Sequence, residues 1–382
     1  MLQTCHIPLS SEKDGSSMLK NLAGTARTRR YSRVLAGGIA TAATIALLAG
    51  CSSSDAAPAA SGTESALSGS VVVADYGGPT HDARATAYFD GFTADTGVTV
   101  TSADYTDAIA NAQLDGEAGD YDLIQTSTDT LLKYQDNLEE LPADVPRGDL
   151  LPENIQDYAA GAFTIGITQG WLTDTFSDGG PKDWADFFDT TKYPGKRAWP
   201  GSAGSYDASF EIALLADGVA PEDLYPIDFD RAVKKLNELK PDMVFYSSYP
   251  EVQQLLSSGT ASIAVSVTGQ FTALQRAGLD VTVQWNEAFL SPNFFVVPTT
   301  SKNKENAFAL AKAMADAENE ATFTTATHYG PALSATFDLL DADVVSQLPN
   351  APEHDKAIQF DEQYRADNLD TYLDTYTAWL AQ

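Results

Sequence analysis

From Ser70 onward the chain keeps changing its hydrophobic period, and that alternation limits the fold more than any other feature. "SVVVAD" (70–75) is a β-branched run without helical spacing, and Gly77-Gly78 breaks it. Ala85, Tyr88, Phe89 and Phe92 then recur at i, i+3, i+4 and i+7, an apolar helix face that Gly97 stops. "VTVTSAD" predicts a second strand, "TDAIANAQL" a helix, "YDLIQTS" a third strand, and "TDTLLKYQ" a helix behind a Ser/Thr cap. Strand and helix taking turns predict parallel sheets covered on both faces, so the fold class is α/β.

After a Pro- and acid-rich connection over 141–155 the alternation resumes. "WADFF", "SFEIALLADG" and the amphipathic "DRAVKKLNEL", closed by Lys240-Pro241, predict helices. "MVFYSS", "SIAVSV", "VTVQW" and "FFVVPTT" predict strands. "KENAFALAKAMAD" places Ala307, Leu310, Ala311 and Met314 on one helix face, and "YLDTYTAWLAQ" closes the chain as helix. A chain of this length is expected to form two domains, each with its own sheet.

The first 50 residues read differently. Arg27, Arg29, Arg30 and Arg33 precede an uncharged run, Val34 to Gly50, which is too short for a comfortable membrane span and has the layout of a cleaved secretory signal. Thr28-Arg29-Arg30 hints at twin-arginine export. Met18 is the more natural start, which would make the first 17 residues surplus. The run ends in Leu48-Ala49-Gly50-Cys51, which resembles the bacterial lipobox, so Cys51 is expected to carry the lipid and to be the first mature residue. Residues 52–68, "SSSDAAPAASGTESALS", predict a flexible tether.

Cleavage before Cys51 removes six basic and two acidic residues, leaving 17 basic against 51 acidic, a balance of −34. Such a surface repels nucleic acid and anionic lipid, so neither is expected as a partner. No second cysteine remains to form an intramolecular disulfide.

Motifs for chemistry are missing. His6, His81, His328 and His354 lie far apart, and no HExxH, Cys/His cluster or calcium-loop spacing is present, so neither a metal nor a cofactor is expected. "GSAGS" at 201–205 lacks the spacing of a nucleophile elbow, and Gly195-Lys196 lacks the upstream glycine of a phosphate loop. Paired carboxylates among so many acids leave a secreted hydrolase as the less favoured alternative. What stands out is a scatter of aromatic residues near predicted loop ends: Tyr76, Trp171, Trp199, Tyr206, Tyr246, Tyr249, Trp285 and Tyr329. In open α/β sheets ligands bind beyond the carboxyl ends of strands, which is where Tyr76, Tyr246 and Trp285 fall; ordinary packing accounts for about half of such a set.

Several long stretches resemble the substrate-binding component of ABC importers, in particular the spermidine/putrescine-binding branch. They are "SVVVADYGGPTHDARATAYFDGFTADTGVTV", "YDLIQTSTDTL", "DWADFFDTTKYPGKRAW", "EIALLADGVAPEDLYPIDFDRAVKKLNELKP", "LLSSGTASIAVSVTGQ" and "YGPAL", spread over nearly the whole mature chain. The resemblance implies a two-lobed periplasmic-binding-protein type II fold. Its discontinuous lobes, 69–162 plus 297–340 and 163–296 plus 341–382, would be joined by crossing strands. It also implies a monomer that captures a small solute and hands it to a membrane permease, with no catalysis.

Polyamine binders of this branch sandwich methylene groups between rings and grip each ammonium with a carboxylate. The resemblance carries the aromatic after the first strand to Tyr76, the polar pair after the third strand to Ser127 and Asp129, and the "YGP" tyrosine to Tyr329. Ser205, Tyr206 and Asp207 fall near another carboxylate of the family. The family's acid before the crossover strand falls on Asn293, and its tryptophan near Val267 is absent. Asp129, Asp207 and Glu287 are candidates to replace the lost charge, and Trp285 is a candidate ring. Polyamine therefore competes with a zwitterion such as γ-aminobutyrate, whose acid end the N–H groups around Gly77-Gly78 would hold.

Overall fold

The computed structural model describes residues 67–202 and 207–382. The expected signal segment, Met18, Cys51 and nearly all of the tether lie outside them, as do Ser205 and Tyr206. Among the described residues no helix is long and apolar enough to cross a membrane.

The strands in chain order are β1 (Ser70–Asp75), β2 (Thr99–Asp104), β3 (Leu123–Ser127), β4 (Leu138–Glu139), β5 (Ala160–Leu172), β6 (Arg197–Pro200), β7 (Met243–Tyr246), β8 (Ile263–Val267), β9 (Val281–Pro298), β10 (Gly330–Pro331) and β11 (Ile358–Gln359). The main path through the sheet is β2-β1-β3-β9-β5-β8-β6-β7. Both ends of the path are parallel, β2-β1-β3 and β8-β6-β7, as the alternation predicts. The middle is antiparallel, because β9 and β5 run side by side and pair outward with β3 and β8.

That centre corrects two expectations. The sheets are not separate: β5 and β9 fuse them into one curled, mixed sheet. "VTVQW" and "FFVVPTT" are not two strands but the ends of the single 18-residue β9. Its long partner β5, unassigned from sequence, is one continuous 13-residue strand that contains Gly161, Gly166 and Gly170. The close approach of helix Thr268–Arg276 explains two of them. A Cβ on Gly170 would lie 2.6 Å from the Phe271 ring, and one on Gly166 would lie 2.8 Å from the Thr268 methyl.

Two hydrophobic centres flank the crossover. One gathers Val71, Val73, Tyr88, Phe89, Phe163, Phe295, Leu310 and Phe323 around the β1 end. The other gathers Trp171, Trp184, Phe187, Trp199, Phe210, Tyr372, Tyr376 and Trp379 around the β6 end. Gly97 caps the first helical run as read, in the left-handed region at φ 75°, but Ser127, at the cap position of helix Thr128–Tyr134, makes no side-chain capping hydrogen bond; Thr106 and Asp228, not singled out from sequence, accept N–H groups at the helix starts they precede. Helix Ser209–Ala216 is buried all round, since it fills the second centre instead of covering its surface.

Candidate functional site

The carboxyl ends of the parallel strands from both halves meet at one cleft of about 350 Å³. Tyr76 directly follows β1, Tyr105 directly follows β2, β3 ends at Ser127, and the turn beyond β6 carries Asp207. Ile165 and Ile167 of β5 and Ser291 and Asn293 of β9 also line the cleft, and the chain's last third contributes Phe360, Glu362 and Arg365. Crossing strands therefore supply the floor and loop ends supply the walls.

On the β1 side, Tyr76 is 63% exposed and packs on Tyr105 with ring centroids 4.3 Å apart and its hydroxyl 3.3 Å from the other. Such a pair offers a π-face to an alkyl chain or a cation. Ser127 donates to Asp129 Oδ1 at 2.5 Å, and the Thr130 N–H donates to the same oxygen at 2.8 Å. Asp129 is thus fixed at the start of helix Thr128–Tyr134. Asn293 lies opposite Ser127 in the β3-β9 ladder, so the amide falls where the resemblance expects an acid.

The β6 side is built around Arg365. Its guanidinium pairs with the fully buried Glu211 at 2.7 Å, donates to the Asp207 carbonyl at 3.0 Å and stacks on Phe360 with its carbon 4.0 Å from the ring centre. Asp207 occupies the left-handed region at φ 48°, where a non-glycine residue is strained, a strain typical of functional turns. Its Oδ1 accepts from the Tyr249 hydroxyl at 2.7 Å, while its buried Oδ2 has no hydrogen-bond partner. Burial pushes this carboxyl up to about 7, against the pull of Tyr249 and Arg365. Burial likewise pushes Glu362 up to about 8; Arg365 opposes the shift, and Asp129, Glu211 and Asp361 add to it.

Of the residues singled out from sequence, Tyr76, Ser127, Asp129, Asp207, Tyr249 and Asn293 line this cleft, whereas Gly77, Trp285, Glu287 and Tyr329 do not. The Gly77 N–H is already committed to Asp75 Oδ1 at 2.9 Å, so it is not free for a ligand acid. Tyr329 stacks on Phe163 at 5.1 Å, an ordinary packing role. Trp285 lies against His354, 4.4 Å between centroids, beside a separate cavity of about 190 Å³. The Glu287 carbonyl accepts the Trp184 indole N–H at 3.0 Å, and burial raises its carboxyl.

Sequence reasoning missed Tyr105, Glu362 and Arg365. Nothing in local spacing marked any of the three. Trp171, Trp199 and Tyr246 are core residues, the last two spending their polar atoms on Tyr376 and the Val265 carbonyl. Among the described residues no group of three or more His, Cys, Asp or Glu side chains is placed to hold a metal ion.

Residues 87–353 match the family described as bacterial extracellular solute-binding protein. The chain belongs to that family. This family member is 26% identical over 329 residues to a gamma-aminobutyric acid-binding protein of Pseudomonas aeruginosa, spanning 83% of this chain and 92% of that one. Among solved structures it is similar to a γ-aminobutyrate (GABA) receptor, at 31% identity over 82% of this chain and 98% of the other, with TM-score 0.74. A second is an agropinic acid complex of a binding protein from A. tumefaciens, at 29% identity over 83% and 100%, with TM-score 0.71. The fold is accordingly that of the type II periplasmic binding proteins. Membership makes the chain an extracytoplasmic solute-binding protein of the ABC-transporter class, which binds its ligand and does not turn it over.

Proposed function

We propose that this protein captures a small zwitterion of the γ-aminobutyrate type in the cleft and delivers it to an ABC permease. One observation carries the reading: the cleft wall combines carboxyl groups with a guanidinium, Arg365 beside Asp207 and Glu362. Although Arg365 is paired with Glu211, its positive charge remains in the wall, so a ligand with an ammonium at one end and a carboxylate at the other meets both signs, whereas the second ammonium of a diamine would meet repulsion there. The Tyr76–Tyr105 pair would cover the methylene groups, and Ser127, Thr130 and Asn293 would supply neutral hydrogen bonds. The names of the similar proteins, which bind γ-aminobutyrate, support the same class.

A polyamine is the second reading, favoured by the three carboxyl groups Asp129, Asp207 and Glu362 around one cavity. In either case the two lobes, 69–162 plus 297–340 and 163–296 plus 341–382, would close on the solute as a monomer. Lipid on Cys51 and the 52–68 tether would hold them at the membrane.

Calorimetric titration of the soluble body with γ-aminobutyrate, putrescine and spermidine tests the assignment. Saturable 1:1 binding of γ-aminobutyrate is expected, together with the thermal stabilisation that excess ligand confers, roughly 2.7 kcal/mol at 100-fold over Kd. Binding of putrescine alone would transfer the assignment to the polyamine reading. Slow hydrolysis of an ester or glycoside probe, with no stoichiometric binding, would overturn both.

A further inference from the structure

We propose that the cleft exchanges a proton for the ligand: Asp207 holds a proton while the site is empty and releases it when a ligand ammonium takes its place. The inference rests on the amine-bearing ligand proposed above and adds a linkage that capture alone does not require.

The geometry is that of a carboxyl group waiting for a cation. Asp207 lines the cavity, one oxygen is held by Tyr249, and the other is buried without a hydrogen-bond partner. An ionised carboxylate left in that condition is costly; a protonated one, or one capped by an ammonium, is not. The neighbouring cation does not cap it: Arg365 gives its short ion pair to Glu211 and donates to the Asp207 main-chain carbonyl, and its charge lowers the carboxyl less than burial raises it.

The other groups acting on the site do not relieve it. Tyr246 and Tyr249, from β7 and the helix that follows, and Tyr376 from the last helix are neutral phenols whose hydroxyls burial pushes upward. Glu362 and Asp361, beside Arg365, and Asp129 across the cleft add negative charge. The upward displacement of Asp207 to about 7 agrees with this arrangement, and Glu362, at about 8, is a second proton donor on the same cavity. A bound ammonium lowers both, so the equilibrium is protein–H plus ligand ammonium giving complex plus a proton, with charge conserved. No covalent bond other than O–H changes.

The ligand's own amine and carboxyl groups titrate near 10 and 4, outside the window of interest. Any pH dependence between 5.5 and 8.5 therefore belongs to the protein. Affinity is expected to weaken roughly tenfold per pH unit below about 7 for each proton exchanged, and to level off above about 8.

The experiment is calorimetry of the wild-type protein with γ-aminobutyrate at pH 5.5, 6.5, 7.5 and 8.5, repeated in buffers of different ionisation enthalpy. Release of between about one and two protons per ligand at pH 6.5, together with the falling affinity, supports the exchange. In Asp207→Asn the proton count and the slope should both collapse toward the Glu362 remainder. A pH-independent Kd with no proton released would overturn the exchange and leave the zwitterion reading standing. Putrescine binding with the same proton release would keep the exchange and overturn the zwitterion. Failure of every amine to bind would overturn both.

Discussion

Two aspartates, one at and one beyond the carboxyl end of a parallel strand, show how the halves of this molecule treat a carboxylate differently. Asp75, at the end of β1 and only 4% exposed, is fully employed: Arg84 and His81 each sit 2.9 Å from its Oδ2, and the Gly77 N–H reaches Oδ1. Arg84 is itself clamped against Phe163, Phe295 and Phe323. This cluster fixes the turn that presents Tyr76 to the cleft. Asp207, beyond β6, has a tyrosine on one oxygen and nothing on the other. A completed carboxylate stabilises a fold, whereas an incomplete one reserves its interaction for a ligand.

Replacement of the two side chains should therefore have opposite signs. The largest effect is expected from Asp75→Leu, which strands the buried guanidinium of Arg84; it should cost about 3–5 kcal/mol in chemical denaturation. A loss under 1 kcal/mol would mean that Arg84 finds another partner and that the Asp75 cluster is not the brace described.

Asp207→Asn should do the reverse in the ligand-free protein. Its folded value, raised to about 7, lies above the ordinary carboxyl range near 4, so the folded state binds more protons than the unfolded state between those limits. Stability must then fall as pH rises from about 4 to about 7, and the deficit persists above. Glu362 and Glu320, the latter raised to about 7 by burial, add the same trend. The Asn variant should accordingly be more stable than wild type at pH 8, on the order of 2 kcal/mol, while binding the zwitterion more weakly. Melting curves at pH 5 and pH 8 decide it; equal destabilisation at both would make Asp207 a structural residue like Asp75.

The smallest effect sharpens the boundary of the site. Trp285→Phe should leave the Kd for γ-aminobutyrate unchanged, because Trp285 faces His354 and the separate cavity. A tenfold weakening in titration would extend the site to that cavity.

How far these features were legible varies with the range of the interaction that creates them. "SVVVAD", the Ala85–Phe92 face and Gly97 announce their elements because short-range sterics and a nearby core decide them. β5 stayed hidden because its glycines are explained only by distant residues, Thr268 for Gly166, Phe271 for Gly170 and Met314 for Gly161. Tyr76, Ser127 and Asp129 were found at strand ends, where α/β sheets place ligands. Trp285 looked equivalent, but it lies where the β5–β9 register shifts between Ile167 and Gln169. Arg365 reaches the cleft through a pairing with Glu211 across 154 positions, which no local pattern encodes.

The sequence by itself determined the α/β alternation, the acidic surface, the exported layout and the strand-end residues of the β1 side, because each depends on period, composition or the chain a few residues away. Only the tertiary structure decided that the two sheets are one and that Arg365, Glu362 and Asp207 share a wall. It alone decided, too, that one carboxylate is satisfied while the other is left open. Charge satisfaction depends on distance in space, and burial of that kind is set by segments that meet only after the chain has folded.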